Sequence, residues 1–287
     1  MIIYDNIIKG VMNMKKVVFI FSVLFISIFT LSGVFAQEQS KCRITGTLMI
    51  KDSGSMGGGL IHFFNVETGP IPNPAKYWRV PDEIADLNEK GEFTIELPAG
   101  KYYMGAIKRI SGKKDVGPPV KGDFFFISSD EKGDPKVYQI KPGEEINIGT
   151  LSEATPFEGW AMKDGLTAIE GSVLLNEEPV EGALVFGYTS PRMFGKPDFV
   201  SDKVAKDGRY ILRVPEGGSY YLMARDLYGG GPPGEGSIMG VYGKEKTPTA
   251  VRVYTGESAK GININVIKFP GRGPREEGMK RFTPDKP

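Results

Sequence analysis

A single cysteine, Cys42, and a single histidine, His62, stand in a chain of 287 residues, and their scarcity excludes much chemistry at once. One thiol cannot close an intramolecular disulfide, so an apolar core has to hold the fold. One cysteine and one histidine, 20 residues apart, offer neither a zinc site nor a CxxCH haem attachment. A serine–histidine–acid mechanism would have to pass through His62, and no Gly-x-Ser-x-Gly elbow accompanies it. Charge of one sign is also lacking: 36 Lys and Arg stand against 35 Asp and Glu. Without a basic field there is no electrostatic footprint for nucleic acid. Long helical periodicity is missing after residue 36, and only "PDEIADLNEK" (81–90) has room for one helical turn.

What the chain has in quantity is turn chemistry. It holds 38 glycines and 21 prolines without a Gly-X-Y period, the composition of many short strands joined by tight turns. Its 40% hydrophobic and 25% charged residues are ordinary for a globular protein. The length suits about two domains.

The N-terminus reads as a targeting segment. Lys15 and Lys16 precede the apolar run "VVFIFSVLFISIFTLSGVFA", and Val34 and Ala36 satisfy the small-residue rule for cleavage before Gln37. An uncleaved anchor is the alternative, since about 20 apolar residues also span a bilayer. Met12 or Met14 would give a short basic start. Cleavage removes Lys9, Lys15, Lys16 and Asp5, taking the formal charge from +1 to −1 and leaving no membrane span. Cys42 lacks a lipobox before it and reads as a thiol at the base of the first strand.

"NEKGEFTIELPAGKYYM" (88–104) returns as "AKDGRYILRVPEGGSYYL" (205–222). With Gly91 set on Gly208, Phe93, Ile95 and Leu97 match Tyr210, Leu212 and Val214, a period of two that places each trio on one face of a strand. Pro98 and Pro215 end those strands, glycines permit the reversal, and Tyr102-Tyr103 and Tyr220-Tyr221 begin the next. The match extends outward: "ITGTL" (44–48) resembles "IEGSV" (169–173), and "GGGLIHFF" (57–64) resembles "VEGALVFGY" (180–188). Both copies carry Gly-Pro-Pro, at 117–119 and 231–233, and both close on a turn and an alternating strand. Four matched blocks in one order indicate duplication. Each copy holds about seven short strands, the pattern of an antiparallel sandwich.

The pattern G-x-[FY]-x-[ILV]-x-[ILV]-P-x-G-x-Y-Y, after an opening I-x-G-x-[VL] strand, resembles carboxypeptidase-regulatory-like domains, which are transthyretin-like β-sandwiches close to Cna-type B repeats. The resemblance implies a non-catalytic spacer or binding module and carries over no active site, because its residues are turn formers and core residues. Lys51 and Asn263 or Asn265 do not occupy matching places in the two copies, so the Lys–Asn isopeptide bond of many Cna-type repeats is not expected. The histidines and terminal Tyr-Arg-Gly-Ser of transthyretin-like hydrolases are absent.

Other motifs are weak. "DSGSMGGG" (52–59) lacks the Lys-Ser/Thr ending of a phosphate loop, and "DLNEKGE" (86–92) puts Lys90 and Leu97 where a calcium loop needs oxygen ligands. Alternation puts His62 on one face with Leu60 and Phe64, as a satisfied or edge histidine. The candidate ligand-binding residues are loop aromatics: Tyr77 and Trp78 in the insertion 68–81, and Trp160 in 152–165. Their structural alternative is that Trp78 covers one end of the first sandwich and Trp160 wedges the two together. The long loops 111–123 and 228–237 are a second candidate edge.

The expectation is an all-β chain: signal peptide 1–36, first Ig-like or transthyretin-like sandwich 37–151, linker 152–166, second sandwich 167–268, and a disordered tail 269–287. It is expected to be exported to the periplasm or cell surface, to have no enzymatic activity and no cofactor, and to meet an envelope protein or a polysaccharide.

Overall fold

A computed structural model describes residues 42–115, 117–159, 165–228, 234–244 and 247–269. The expected signal peptide, Trp160 and almost all of the tail lie outside them. Every regular element among the described residues is a strand. In the first half these are β1 (Cys42–Ile50), β2 (Leu60–Asn65), β3 (Glu83–Asp86), β4 (Glu92–Leu97), β5 (Gly100–Lys108), β6 (Phe124–Ile127), β7 (Tyr138–Ile140) and β8 (Glu145–Pro156). The second half opens with β9 (Ala168–Leu175), β10 (Glu178–Pro179), β11 (Leu184–Tyr188), β12 (Phe199–Val200), β13 (Arg209–Arg213) and β14 (Gly218–Arg225). It continues with β15 (Ile238–Val241), β16 (Gly243–Lys244), β17 (Thr247–Pro248), β18 (Val251–Val253), β19 (Ser258–Ala259), β20 (Ile264–Asn265) and β21 (Ile267–Lys268).

The first half forms a bent sheet in the order β3-β2-β5-β6-β8-β1-β4, with β7 beside β5. Long β8 runs parallel to β1 and then pairs β6 at Thr155 and Pro156, joining the two faces of a sandwich. Ile44 and Leu48 from β1, Phe93 and Leu97 from β4, Ile61 and Phe63 from β2, and Met104 and Ala106 from β5 fill the space between. In the second half β9 is flanked by β10, β13, β19 and β20, and the facing sheet runs β12-β11-β14-β15-β21 with β18 beside β14. Ile169, Val173, Val185, Leu212 and Leu222 lie between those sheets.

The repeated hairpin has the expected form. In β4 Phe93 and Leu97 are buried while Glu92, Thr94 and Glu96 are exposed. Gly91 and Gly208, at φ +80° and +79°, turn the chain into β4 and β13 in a conformation that glycine adopts without penalty. Tyr102 donates its hydroxyl to Pro98 O at 3.1 Å, and Tyr220 donates to Glu216 O at 2.8 Å, so the first tyrosine of each pair pins its own turn.

Two expectations fail. Residues 81–90 hold no helical turn: Glu83–Asp86 pair with β2, from Phe63↔Glu83 to Leu60↔Asp86, and the ladder overrides local preference. Strand β8 also runs to Pro156, into the span read as linker. The two sandwiches fall within one compact unit.

Candidate functional site

The insertion between β2 and β3 determines how the two sandwiches meet. Buried Arg79 folds it, donating to Asn65 O (2.6 Å), Pro70 O (2.7 Å), Gly69 O (3.2 Å) and Thr68 Oγ1 (2.9 Å), and pairing with Asp82 at 2.8 Å. One buried guanidinium thus gathers several carbonyls of a partly exposed loop, which the five-donor fork of arginine allows. It also lies 5.6 Å from the Phe64 ring centroid, a cation–π contact.

Held this way, residues 78–80 extend along the free edge of β12. Arg79 bridges Phe199 in antiparallel sense, Val80 N donates to Asp198 O at 2.9 Å, and Val200 N donates to Trp78 O at 3.3 Å. Edge strands with unpaired backbone groups invite such an addition. Lys196 seals it from the second sandwich, donating to Val80 O at 3.0 Å and pairing with Asp82 at 3.3 Å. Burial lowers the Lys196 pKa, and the Asp82 charge and hydrogen bond oppose that shift.

Tyr77 and Trp78 are not exposed platforms. Tyr77 is 5% exposed and belongs to the core of the second sandwich, edge-on to Phe199 at 5.8 Å. Its hydroxyl donates to Ile71 O, and burial pushes its pKa up to about 12. Trp78 is 3% exposed and packs with Val80, Leu184, Phe186, Tyr188, Met193 and Val200, while Phe125 lies 5.6 Å away and His62 6.1 Å away. Both side chains are therefore enclosed by protein, which removes them as stacking sites for a ligand. Trp78 lies between the two sandwiches, and the wedge reading of Trp160 falls outside the described residues.

His62 is neither satisfied nor at an edge. It is fully buried under Trp78 and Phe64, and neither ring nitrogen has a hydrogen-bond partner. Burial, aided by the Arg109 charge, depresses its pKa to about 3, so it is neutral at ordinary pH. A neutral imidazole sealed from solvent, with no hydrogen-bond partner, is not placed for acid–base catalysis.

The sequence held a signal for this seam that the hairpin comparison passes over. Pro81-Asp82 and Pro197-Asp198 open β3 and β12 alike, and their carboxylates do the same work. Asp82 accepts from Asn65 N at 2.8 Å and Asp198 from Thr189 N at 2.7 Å, each capping the strand before it. Three residues upstream stand Trp78 in one copy and Phe194 in the other. Trp78 is buried in the seam, whereas Phe194 is 92% exposed.

The loop 111–123 is organised by Arg109, which donates to Pro118 O (2.7 Å) and Gly117 O (2.9 Å) and pairs with Asp123 (2.9 Å) and Asp115 (2.7 Å). Asp115 also meets Lys203 of the second sandwich at 2.7 Å. Burial pushes the Asp115 pKa up, but Lys203 and Arg109 outweigh it and hold the carboxyl below its ordinary value. Ile110 and Leu227, in the matched loop regions, are exposed. The turn at 86–92 is a hairpin turn: Asn88 Oδ1 accepts from Lys90 N and Glu92 N, each at 2.9 Å. Among the described residues no cluster of His, Cys, Asp and Glu is placed to hold a metal ion, and no helix is long and apolar enough to cross a membrane.

No family model and no curated protein matches the chain. Solved structures with a loose likeness include a streptococcal ancillary pilin, 14% identical over 81% of this chain and 64% of that one, with a TM-score of 0.24. This chain therefore spans less than two thirds of that pilin. Others are GBS52, the minor pilin of Streptococcus agalactiae (11% identity, 80% of this chain, 97% of that one, TM-score 0.25), and a DUF3823 family protein from Bacteroides uniformis (11%, 80%, 99%, 0.21).

Proposed function

We propose that the protein is an exported, non-catalytic pair of carboxypeptidase-regulatory-like sandwiches that serves as a rigid structural element at the cell exterior and docks an envelope protein through its loop tips. The observation that carries this reading is the seam. A loop of the first sandwich closes the edge of the second and places Tyr77 in its core, so the two move as one body. The buried, neutral state of the sole histidine supports the absence of histidine chemistry. Export rests on the basic and apolar run ending at Ala36.

Phe194 is the docking residue of choice, because at 92% it is the most exposed large hydrophobic side chain among the described residues, and aromatic side chains anchor interfaces. Met193 beneath it packs in the seam and its N–H donates to Ser190 O at 3.1 Å, which fixes the tip. The test is depletion of the purified protein by washed envelope fractions. Phe194→Asp should abolish retention without lowering Tm, since the side chain buries almost nothing. Unchanged retention would overturn the docking role.

A further inference from the structure

A trough of about 610 Å³ crosses the outward face of the second sandwich, away from the seam's apolar cluster. Its floor is two cross-strand pairs, Arg209 opposite Ser172 and Ile211 opposite Glu170, whose neighbours Tyr210, Leu212, Ile169 and Val173 point into the core. One wall is the segment Asp202–Asp207. The other is the turn Lys260–Asn263, where the strand beside β9 leaves its ladder between Ala259 and Ile264. In the first sandwich the corresponding strand β8 pairs β1 from Glu145 to Ala154, with register shifts between Asn147 and Thr150 and between Leu151 and Ala154.

Both walls are fixed in place before any ligand arrives. Gly261 turns at φ +74°, Ser172 N donates to Asn263 Oδ1 at 3.0 Å, Ile262 N donates to Glu170 O at 3.0 Å, and buried Tyr210 donates its hydroxyl to Ile262 O at 2.7 Å. Across the trough, Asp202 pairs with Arg213 at 2.9 Å and Lys203 with Asp115 at 2.7 Å. Arg209 pairs with Asp207 at 2.6 Å. Preformed walls lower the ordering cost of binding.

The lining has a consistent chemistry. Lys203, Arg209 and Lys260 are balanced by Glu170, Asp202 and Asp207, so no field selects an ion of either sign. Most of these charges are used within the chain. Among the described residues, the Glu170 carboxylate, the Ser172 hydroxyl, the Lys260 ammonium and the Asn263 amide nitrogen make no hydrogen bond to protein. Two donors, one acceptor and one hydroxyl that can do either thus surround the small apolar surface of Ile211 and Ala205. A pyranose ring presents the complement, with hydroxyls that donate and accept around a face of C–H groups. We infer that this trough binds a neutral saccharide about two rings long. The inference is separate from docking through Phe194, and the rings of Tyr77 and Trp78 play no part in it.

The purified protein is applied to a microarray of neutral and anionic glycans, and a captured glycan is then titrated calorimetrically. Glu170→Ala/Lys260→Ala should weaken binding by tenfold or more while leaving Tm unchanged, because neither side chain is buried. Phe194→Asp should bind as tightly as the parent. Capture of no neutral glycan, or equal affinity in the double variant, would overturn the assignment. Capture confined to anionic glycans would overturn it equally, since the balanced lining gives no reason for that preference.

Discussion

His62 shows how much a single buried side chain can cost. An imidazole without a hydrogen-bond partner forfeits about 1–3 kcal/mol against an apolar group of similar shape. Its pKa falls from 6.5 to about 3 on folding, so between those values the unfolded chain takes up a proton that the folded chain refuses. The stabilising difference is complete above pH 6.5 and is lost as the pH falls towards 3, a window worth on the order of 4–5 kcal/mol. His62→Leu should therefore raise Tm at pH 7 and flatten the decline of stability between pH 6.5 and 3. Parallel acid limbs in urea titrations of the two proteins would count against this account. Alternation in "LIHFF" was enough to put His62 on a face with Leu60 and Phe64, but not to say what covers that face. The cover is Trp78, and its arrival depends on a long-range packing choice that no local pattern carries.

At the scale of elements, the hairpin was legible because every position has a local reason: alternating apolar residues, a proline to end the strand, a glycine to turn. Equivalence in sequence does not make the two turns equivalent in tolerance. A Cβ on Gly91 would lie 2.2 Å from Leu48 O, a backbone atom with nowhere to go, whereas one on Gly208 would lie 3.0 Å from the Pro179 side chain. Both substitutions incur the left-handed backbone penalty of about 1 kcal/mol, and Gly91→Ala adds a clash that Gly208→Ala largely avoids. Denaturant midpoints should rank the parent above Gly208→Ala and that above Gly91→Ala, and the reverse order of the variants would contradict the geometry. The insertion 68–81 was illegible for the opposite reason. Tyr77, Trp78 and four nearby prolines look like an exposed loop until Arg79 is seen to gather its carbonyls, and that gathering needs Asp82 and the edge of β12 in place.

For the whole molecule, the seam replaces the hinge that a linker between sandwiches would supply. Trp78 fills space between Phe125 of one sandwich and Leu184 and Phe186 of the other, so Trp78→Ala opens a void in the joint. Truncating a buried aromatic costs about 3–5 kcal/mol. Parent protein should unfold in one calorimetric transition, and Trp78→Ala should melt lower and show two, as the sandwiches uncouple. A parent with two transitions would argue that each half already melts alone. The all-β class was open to reading from turn chemistry and period-two strands, since both are local. The joint was not, because residues that meet in it lie far apart in the chain, as Trp78 and Val200 do at 122 positions.

The closing of β12 by residues 78–80 also changes what a cut would do. A protease acting on the connector between the halves would sever the covalent chain and leave every backbone hydrogen bond of the seam in place. The fragments should then travel together through gel filtration under native conditions and part only in denaturant. Chain continuity would thus not be needed to keep this protein assembled.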